Sequence, residues 1–127
     1  MQPHLLIIDD DENNLDVLAH LLRSMSISYT LIKDPSTAFT AIEQLSHLDA
    51  VIVDLEMPKM NGYEMLTQLR HMLGRDVPII CSTVHLTEID TARRLGFDSF
   101  IGKPLDADRF PALLERVLNG EAVWELP

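Results

Sequence analysis

The segment LLIIDD at residues 5–10 places four apolar residues directly before two carboxylates. A continuous apolar run, unlike an alternating one, is typical of a parallel strand that is covered on both faces. Similar short apolar runs recur along the chain and predict further strands at residues 29–32, 50–53, 77–82 and 99–101. The sequence therefore predicts five strands, and the run at residues 5–8 is the first of them.

Helical periodicity fills the intervals between these strands. The last helix has the clearest pattern, with apolar residues at helical spacing at Phe110, Leu113, Leu114, Val117 and Leu118. Weaker patterns predict helices near residues 15–25, 38–45, 66–73 and 87–95. Strict alternation of strands and helices favours right-handed crossovers and a doubly wound α/β fold, in which a ligand site forms at the carboxyl ends of the strands.

Length and charge narrow the class of protein. The 127 residues suit one domain, which we assign to residues 1–120, with residues 121–127 as a C-terminal tail or the start of a linker. A net charge of -10 disfavours direct binding to nucleic acid and to anionic membranes. The apolar runs are too short to span a bilayer, and a single cysteine, Cys81, suits a reducing compartment. We therefore expect a cytoplasmic protein.

Carboxylates gather at the edge where the site is expected. Asp9 and Asp10 follow the first strand and Asp54 follows the third, so the topology brings them together. Two unit charges about 5 Å apart repel by roughly 3 kcal/mol at an effective dielectric near 20, and a divalent cation would offset this repulsion. Oxygen ligands alone favour Mg²⁺ over a soft metal. For Asp11 and Asn13 we prefer a simpler role, at the start of the first helix.

Two further strand ends add a hydroxyl group and a cation. Thr83 follows the fourth strand and Lys103 follows the fifth. Alone, Thr83 would be interpreted as a turn residue and Lys103 as a surface lysine, and a lone strand-end aspartate is more often a helix cap or a ligand than a nucleophile. Together with the acid pair, they form a constellation that suits phosphoryl transfer onto Asp54.

These motifs, taken in order, resemble the receiver domain of two-component response regulators over about residues 5–119. The residues that carry the resemblance are Ile7-Ile8-Asp9-Asp10, Val53-Asp54-Leu55-Glu56-Met57-Pro58 with Asn61-Gly62, Pro78-Ile79-Ile80 before Thr83, and Lys103-Pro104. The resemblance implies a flavodoxin-like (βα)5 fold with a five-stranded parallel sheet in the order 2-1-3-4-5. It also implies that Asp54 accepts phosphoryl from a sensor histidine kinase or a histidine phosphotransferase, as a stoichiometric acceptor and not as an enzyme.

The resemblance assigns roles to the residues of the site. It implies that Mg²⁺ is bound by Asp9, Asp10, Asp54 and the backbone carbonyl of Glu56. Lys103 would pair with the acceptor carboxylate and then with phosphate, and a cis peptide bond to Pro104 is implied.

A switch and three rate-modulating positions are also implied. Thr83 would hydrogen-bond a phosphoryl oxygen, and Phe100 would follow its movement and remodel the face formed by helix four, strand five and helix five. Val84 stands where the family usually has a small Ala or Gly, and we hypothesise that its bulk slows phosphoryl entry and loss. Glu56 and His85 occupy positions that in the family influence attack of water on the acyl phosphate.

The output of the domain stays open at this point, and three other functional classes are considered. A receiver of this kind would act on a downstream protein or on an output domain that this sequence lacks, as a monomer or as a phosphorylation-dependent dimer. A pseudo-receiver that only docks to partners is one alternative. A phosphatase with an aspartate nucleophile is less favoured, because position 56 is Glu and no substrate-covering cap is evident. A flavin-binding carrier is disfavoured by the four acids at residues 9–12, where it would need a phosphate-binding loop.

Overall fold

A computed structural model describes residues 2–57 and 61–126 of the chain. Strands and helices alternate along these residues as β1 (His4–Ile8), α1 (Glu12–Ser24), β2 (Ser28–Ile32), α2 (Ala38–Glu43), β3 (Ala50–Val53), α3 (Gly62–Leu73), β4 (Ile79–Cys81), α4 (Ile89–Leu95), β5 (Ser99–Ile101), α5 (Phe110–Leu118) and β6 (Trp124–Glu125). Pro58, which belongs to the motif after the third strand, lies outside the described residues. None of the described helices is long and apolar enough to cross a membrane.

The strands form one parallel sheet in the order β2-β1-β3-β4-β5-β6. The doubly wound α/β fold and the core order 2-1-3-4-5 are thus confirmed. The predicted number of five strands is wrong by one, because Trp124–Glu125 adds a sixth strand along β5. This short segment belongs to the predicted tail, which folds back on the body of the domain.

The core lies in two layers, one on each side of the sheet. Leu5 and Ile7 of β1 pack on one side with α1 and α5, whereas Leu6 and Ile8 pack on the other side with α3. All four side chains have no exposed surface. Because successive side chains of a strand point to opposite faces, a run without polar interruption is what a strand between two helical layers requires.

Element ends differ from the predictions at a few places for local reasons. β4 begins at Ile79 and not at residue 77, since Pro78 has no N–H to donate, although its carbonyl still accepts from the Val51 amide at 3.0 Å. α1 begins as expected, with Asp11 as its N-cap: the Asp11 side chain accepts a hydrogen bond from the Asn13 amide. The cap fixes where the first helix starts relative to the acidic end of β1.

Candidate functional site

Asp54 lies at the centre of the site, one residue beyond the end of β3. Its amide donates to the Ile8 carbonyl at 3.0 Å, which ties it to the end of β1. Only 6% of the residue is exposed. Its Oδ1 accepts from the Glu56 amide at 2.9 Å and its Oδ2 from Lys103 Nζ at 3.0 Å. Burial raises the pKa of Asp54, and these two donors oppose the shift only in part.

Two further carboxylates stand beside Asp54. Asp9 is 2% exposed and Asp10 is half-buried, and ligand oxygens of Asp9, Asp10 and Asp54 all lie within 4.8 Å of one another. Three hard oxygen donors at this spacing fit a small divalent cation such as Mg²⁺. The acidic cluster that the sequence predicts is thus assembled at one edge of the sheet, with donors of the type that Mg²⁺ requires.

Lys103 joins the carboxylates of β1 and β3. Its ammonium lies 2.7 Å from Asp9 Oδ2 and 3.0 Å from Asp54 Oδ2, and its side chain is 8% exposed. Burial alone would lower the pKa of Lys103, but hydrogen bonds to Asp9 and Asp54 and their negative charges raise it overall. The ammonium is therefore held charged between two buried carboxylates. The peptide bond from Lys103 to Pro104 is cis, as the family resemblance predicts.

Thr83 and Phe100, the predicted switch residues, are both fully buried. Thr83 follows β4 and accepts the Lys103 amide on its carbonyl at 2.9 Å, while its Oγ1 accepts from the His85 amide at 3.2 Å. Phe100 lies in the middle of β5, paired with Cys81 of β4. The backbone of Thr83 is thus bonded directly to the residue whose side chain touches Asp54.

The three predicted rate-modulating residues lie on loops that flank the site. Val84 is 61% exposed, so its side chain stands on the surface beside the buried threonine. His85 Nε2 lies 3.6 Å from Glu56 Oε2, and both side chains are largely exposed. Glu56, after β3, and His85, after β4, therefore lie side by side, as the pairing of β3 with β4 requires.

Asn14 is a site residue that the sequence analysis missed. Its Nδ2 donates to Asp9 Oδ2, the same oxygen that accepts from Lys103, while the Asp11 amide donates to Asp9 Oδ1 at 2.9 Å. Asn14 is the third residue of α1, a position from which a side chain can reach back over the helix N-terminus. That position, next to an acidic strand end, is the signal that could have identified it.

Two curated relatives are similar in sequence to most of this chain. Sensory transduction protein RegX3 of Mycolicibacterium smegmatis is 35% identical over 117 residues, which are 91% of this chain and 50% of that protein. DNA-binding response regulator MtrA of the same species is 34% identical over 106 residues, 82% of this chain and 45% of that protein. The chain thus spans about half the length of these relatives.

Solved structures have the same fold. A CheY-like response regulator receiver domain protein from Methanospirillum hungatei superimposes with a TM-score of 0.83 at 20% identity, over 94% of this chain and 96% of that one. A response regulator receiver protein from Burkholderia phymatum gives 0.79 at 26% identity, over 95% and 98%. The family profile described as response regulator receiver domain matches residues 5–115. With the fold, the acidic strand ends and these matches in agreement, the chain belongs to the response regulator receiver domain family.

Proposed function

We propose that this receiver domain accepts a phosphoryl group on Asp54 and passes the signal on through contacts with other proteins. The observation that carries the proposal is the position of Lys103, which bridges Asp9 and Asp54 in a buried site. A carboxylate that attacks phosphorus must approach a group that is itself negative, so the barrier falls when fixed positive charge stands beside the reacting oxygens.

The chemistry would run as an in-line displacement. One carboxylate oxygen of Asp54 forms a bond to phosphorus while the bond from phosphorus to a donor histidine nitrogen breaks, and the nitrogen keeps the electron pair. Lys103 would then donate to a phosphoryl oxygen, and Thr83 would offer its hydroxyl to another. Asp54 is consumed in each event until water removes the phosphoryl group. We therefore propose a stoichiometric acceptor and not an enzyme.

Mg²⁺ is the cofactor that we propose, bound by Asp9, Asp10, Asp54 and the backbone carbonyl of Glu56. When bound, it would supply positive charge that offsets the repulsion between the carboxylates and the incoming phosphoryl group. Asp9 is well prepared for this role, because Asn14, the Asp11 amide and Lys103 fix its carboxylate. Ordered ligands of this kind lose little further freedom on binding a cation.

The partners follow from the same proposal. A sensor histidine kinase or a histidine phosphotransferase would supply the phosphoryl group, in the cytoplasm. The output would be a separate protein or a further domain, since the related MtrA is named as a DNA-binding response regulator and is about twice as long as the matched region. The chain itself has a net charge of -10, so we assign DNA contact, if any, to such an output domain.

Incubation with acetyl phosphate and Mg²⁺, followed by intact mass measurement, tests the proposal. We expect a labile gain in mass of one phosphoryl group. This gain should be absent when Mg²⁺ is chelated and in Asp54→Asn, but present in the control variant Asp16→Asn, which changes an exposed aspartate on α1. No gain in the native protein would contradict the proposal and favour a docking module that works without phosphorylation. Sustained turnover of an unrelated phosphoester would favour a phosphatase.

The rate-modulating positions can be tested in the same assay. We propose that Val84 slows phosphoryl entry and loss, because it stands next to Thr83 on the exposed side of the loop. Val84→Ala should then speed both steps in a phosphorylation time course. Unchanged rates would refute this role for Val84 and leave Asp54 as the acceptor. We propose further that Glu56 and His85, which meet at 3.6 Å, affect the rate at which water reaches the acyl phosphate.

A further inference from the structure

The outer edge of β5 is covered by a short segment of the chain itself, residues 123–126, which we call the strap. Its strand β6 runs parallel to β5, with Phe100 beside Trp124. The Phe100 amide donates to the Val123 carbonyl at 2.7 Å, and the Gly102 amide donates to the Glu125 carbonyl at 3.0 Å. Val123 is 2% exposed. Both backbone pairing and a buried side chain therefore hold the strap in place.

Two arginines extend the contact to α4 and α5. The guanidinium of Arg93, on α4, lies 4.7 Å from the centre of the Trp124 ring. Arg109, the residue before α5, places Nη2 at 2.6 Å from Glu125 Oε2. The strap therefore lies across the face formed by α4, β5 and α5, held by one cation–π contact and one ion pair. Arg93 and Arg109 are exposed, whereas Trp124 and Glu125 are half-buried, so each of these two contacts can break without leaving a fully buried charge unpaired.

The same stretch of β5 leads directly to the phosphorylation site. The Gly102 amide donates outward to the strap, whereas the next amide, that of Lys103, donates inward to the Thr83 carbonyl at 2.9 Å. Consecutive amides of an extended chain point in opposite directions, so a shift of residues 102–103 toward Thr83 lengthens the bond to Glu125. The Lys103 ammonium, shared by Asp9 and Asp54, is the group that would drive such a shift.

We infer that the strap is a displaceable cover whose docking on β5 is coupled to the state of Asp54, docked without phosphate and released with it. This inference rests on the proposed function. An acyl phosphate moves negative charge outward from Asp54, Lys103 follows that charge, and residues 102–103 move away from Glu125. Release exposes the unpaired edge of β5, which suits an extended segment of a partner. Such a partner must compete with the strap for the amides of Phe100 and Gly102.

Amide hydrogen exchange tests the coupling on the full chain. The protein is treated with acetyl phosphate and Mg²⁺, and the extent of phosphorylation is followed by intact mass. In the phosphorylated form we expect the amides of Phe100 and Gly102 to exchange about tenfold faster, with β1 amides unchanged and Asp54→Asn still protected. Phosphorylated protein with unchanged exchange at both amides overturns the inference and leaves the proposed function intact. Absence of any mass gain overturns both.

A second measurement follows the strap through the single tryptophan of the chain, Trp124. Glu125→Gln removes the ion pair with Arg109, and Glu121→Gln is a matched control that removes an exposed contact to Arg116 at 3.5 Å. Without phosphorylation, we expect Glu125→Gln to raise acrylamide quenching of Trp124 about twofold and the control to leave it unchanged. Equal quenching in the two variants would show that the ion pair does not hold the strap, and quenching of Trp124 in the native protein that does not rise on phosphorylation would overturn the inference.

Discussion

Replacement of Lys103 by Met removes the only charge that the described contacts place between Asp9 and Asp54, while it keeps a side chain of similar length. The ammonium lies 2.7 Å from Asp9 Oδ2 and 3.0 Å from Asp54 Oδ2, and all three side chains are at least nine-tenths buried. The substitution therefore leaves two buried carboxylates facing each other with no positive charge between them, although their neutral hydrogen-bond donors remain. We expect a loss of stability, and this loss should depend on Mg²⁺.

The magnitude follows from the burial of the three groups. At these distances and an effective dielectric near 20, each contact represents a gross attraction of roughly 6 kcal/mol, most of which the cost of desolvation cancels. Removal of one member of a buried ion pair typically lowers the free energy of unfolding by about 3–5 kcal/mol. A cation bound by the same carboxylates would replace part of the lost charge. We therefore expect saturating Mg²⁺ to reduce the difference in free energy of unfolding between the native protein and Lys103→Met by about 1–2 kcal/mol.

Urea unfolding followed by circular dichroism, with EDTA or with Mg²⁺, measures this effect. Lys33→Met is the matched control, since Lys33 Nζ also lies close to a carboxylate, 2.6 Å from Glu12 Oε1, but both side chains are more than half exposed. The control should unfold like the native protein, because exposed ion pairs contribute little. The reasoning would be refuted if Lys103→Met had the same free energy of unfolding as Lys33→Met in EDTA. It would also be refuted if Mg²⁺ stabilised Lys103→Met and the native protein equally.

Three further predictions concern the surroundings of the site. Since burial raises the pKa of Asp54, the contribution of Asp54 to the free energy of unfolding is largest below the pKa of an unfolded aspartate and falls as the pH rises through the folded pKa. In urea unfolding without Mg²⁺, the stability of Asp54→Asn relative to the native protein should therefore increase from pH 3 to pH 7. If the stability of Asp54→Asn relative to the native protein fell from pH 3 to pH 7, this prediction would be contradicted. Burial, followed by the charge of Asp54, raises the pKa of the Cys81 thiol to about 12. The native protein should therefore resist labelling by iodoacetamide, whereas the unfolded chain should be labelled. Rapid labelling of the native protein, measured by intact mass, would contradict this prediction. Asn14→Leu removes a donor to Asp9 and should weaken Mg²⁺ binding about tenfold by calorimetry, whereas the exposed neighbour change Asn13→Leu should not; equal affinities would exclude this role.

The central strands and the meeting of the acidic strand ends could be predicted because both follow from local patterns. Apolar runs such as residues 5–8 and 50–53 indicate strands that are buried on both faces, and the observed β1 and β3 cover them. In a parallel sheet the carboxyl ends of all strands lie at one edge, so the proximity of Asp9, Asp54 and Lys103 follows from their places in the sequence.

The sixth strand and the contact of Asn14 could not be derived in the same way. A strand of two residues carries no periodicity, and β6 depends on distant groups, such as Arg93 on α4 and Arg109 before α5. The contact of Asn14 with Asp9 depends on how α1 is rotated about its axis, which the Asp11 cap and the packing of the helix determine together. Both features arise from tertiary structure, which single-sequence patterns do not contain.

The burial of β1 on both faces limits how the molecule can vary. Insertion or deletion of one residue before Asp9 would exchange the two sets of side chains, Leu5 and Ile7 against Leu6 and Ile8, between layers of different shape. The location of the acidic pair is thus coupled to the hydrophobic interior, whereas exposed positions on the surrounding helices are free of that constraint. Recognition surfaces could therefore be redesigned by substitution on the helices while the reactive centre keeps its geometry.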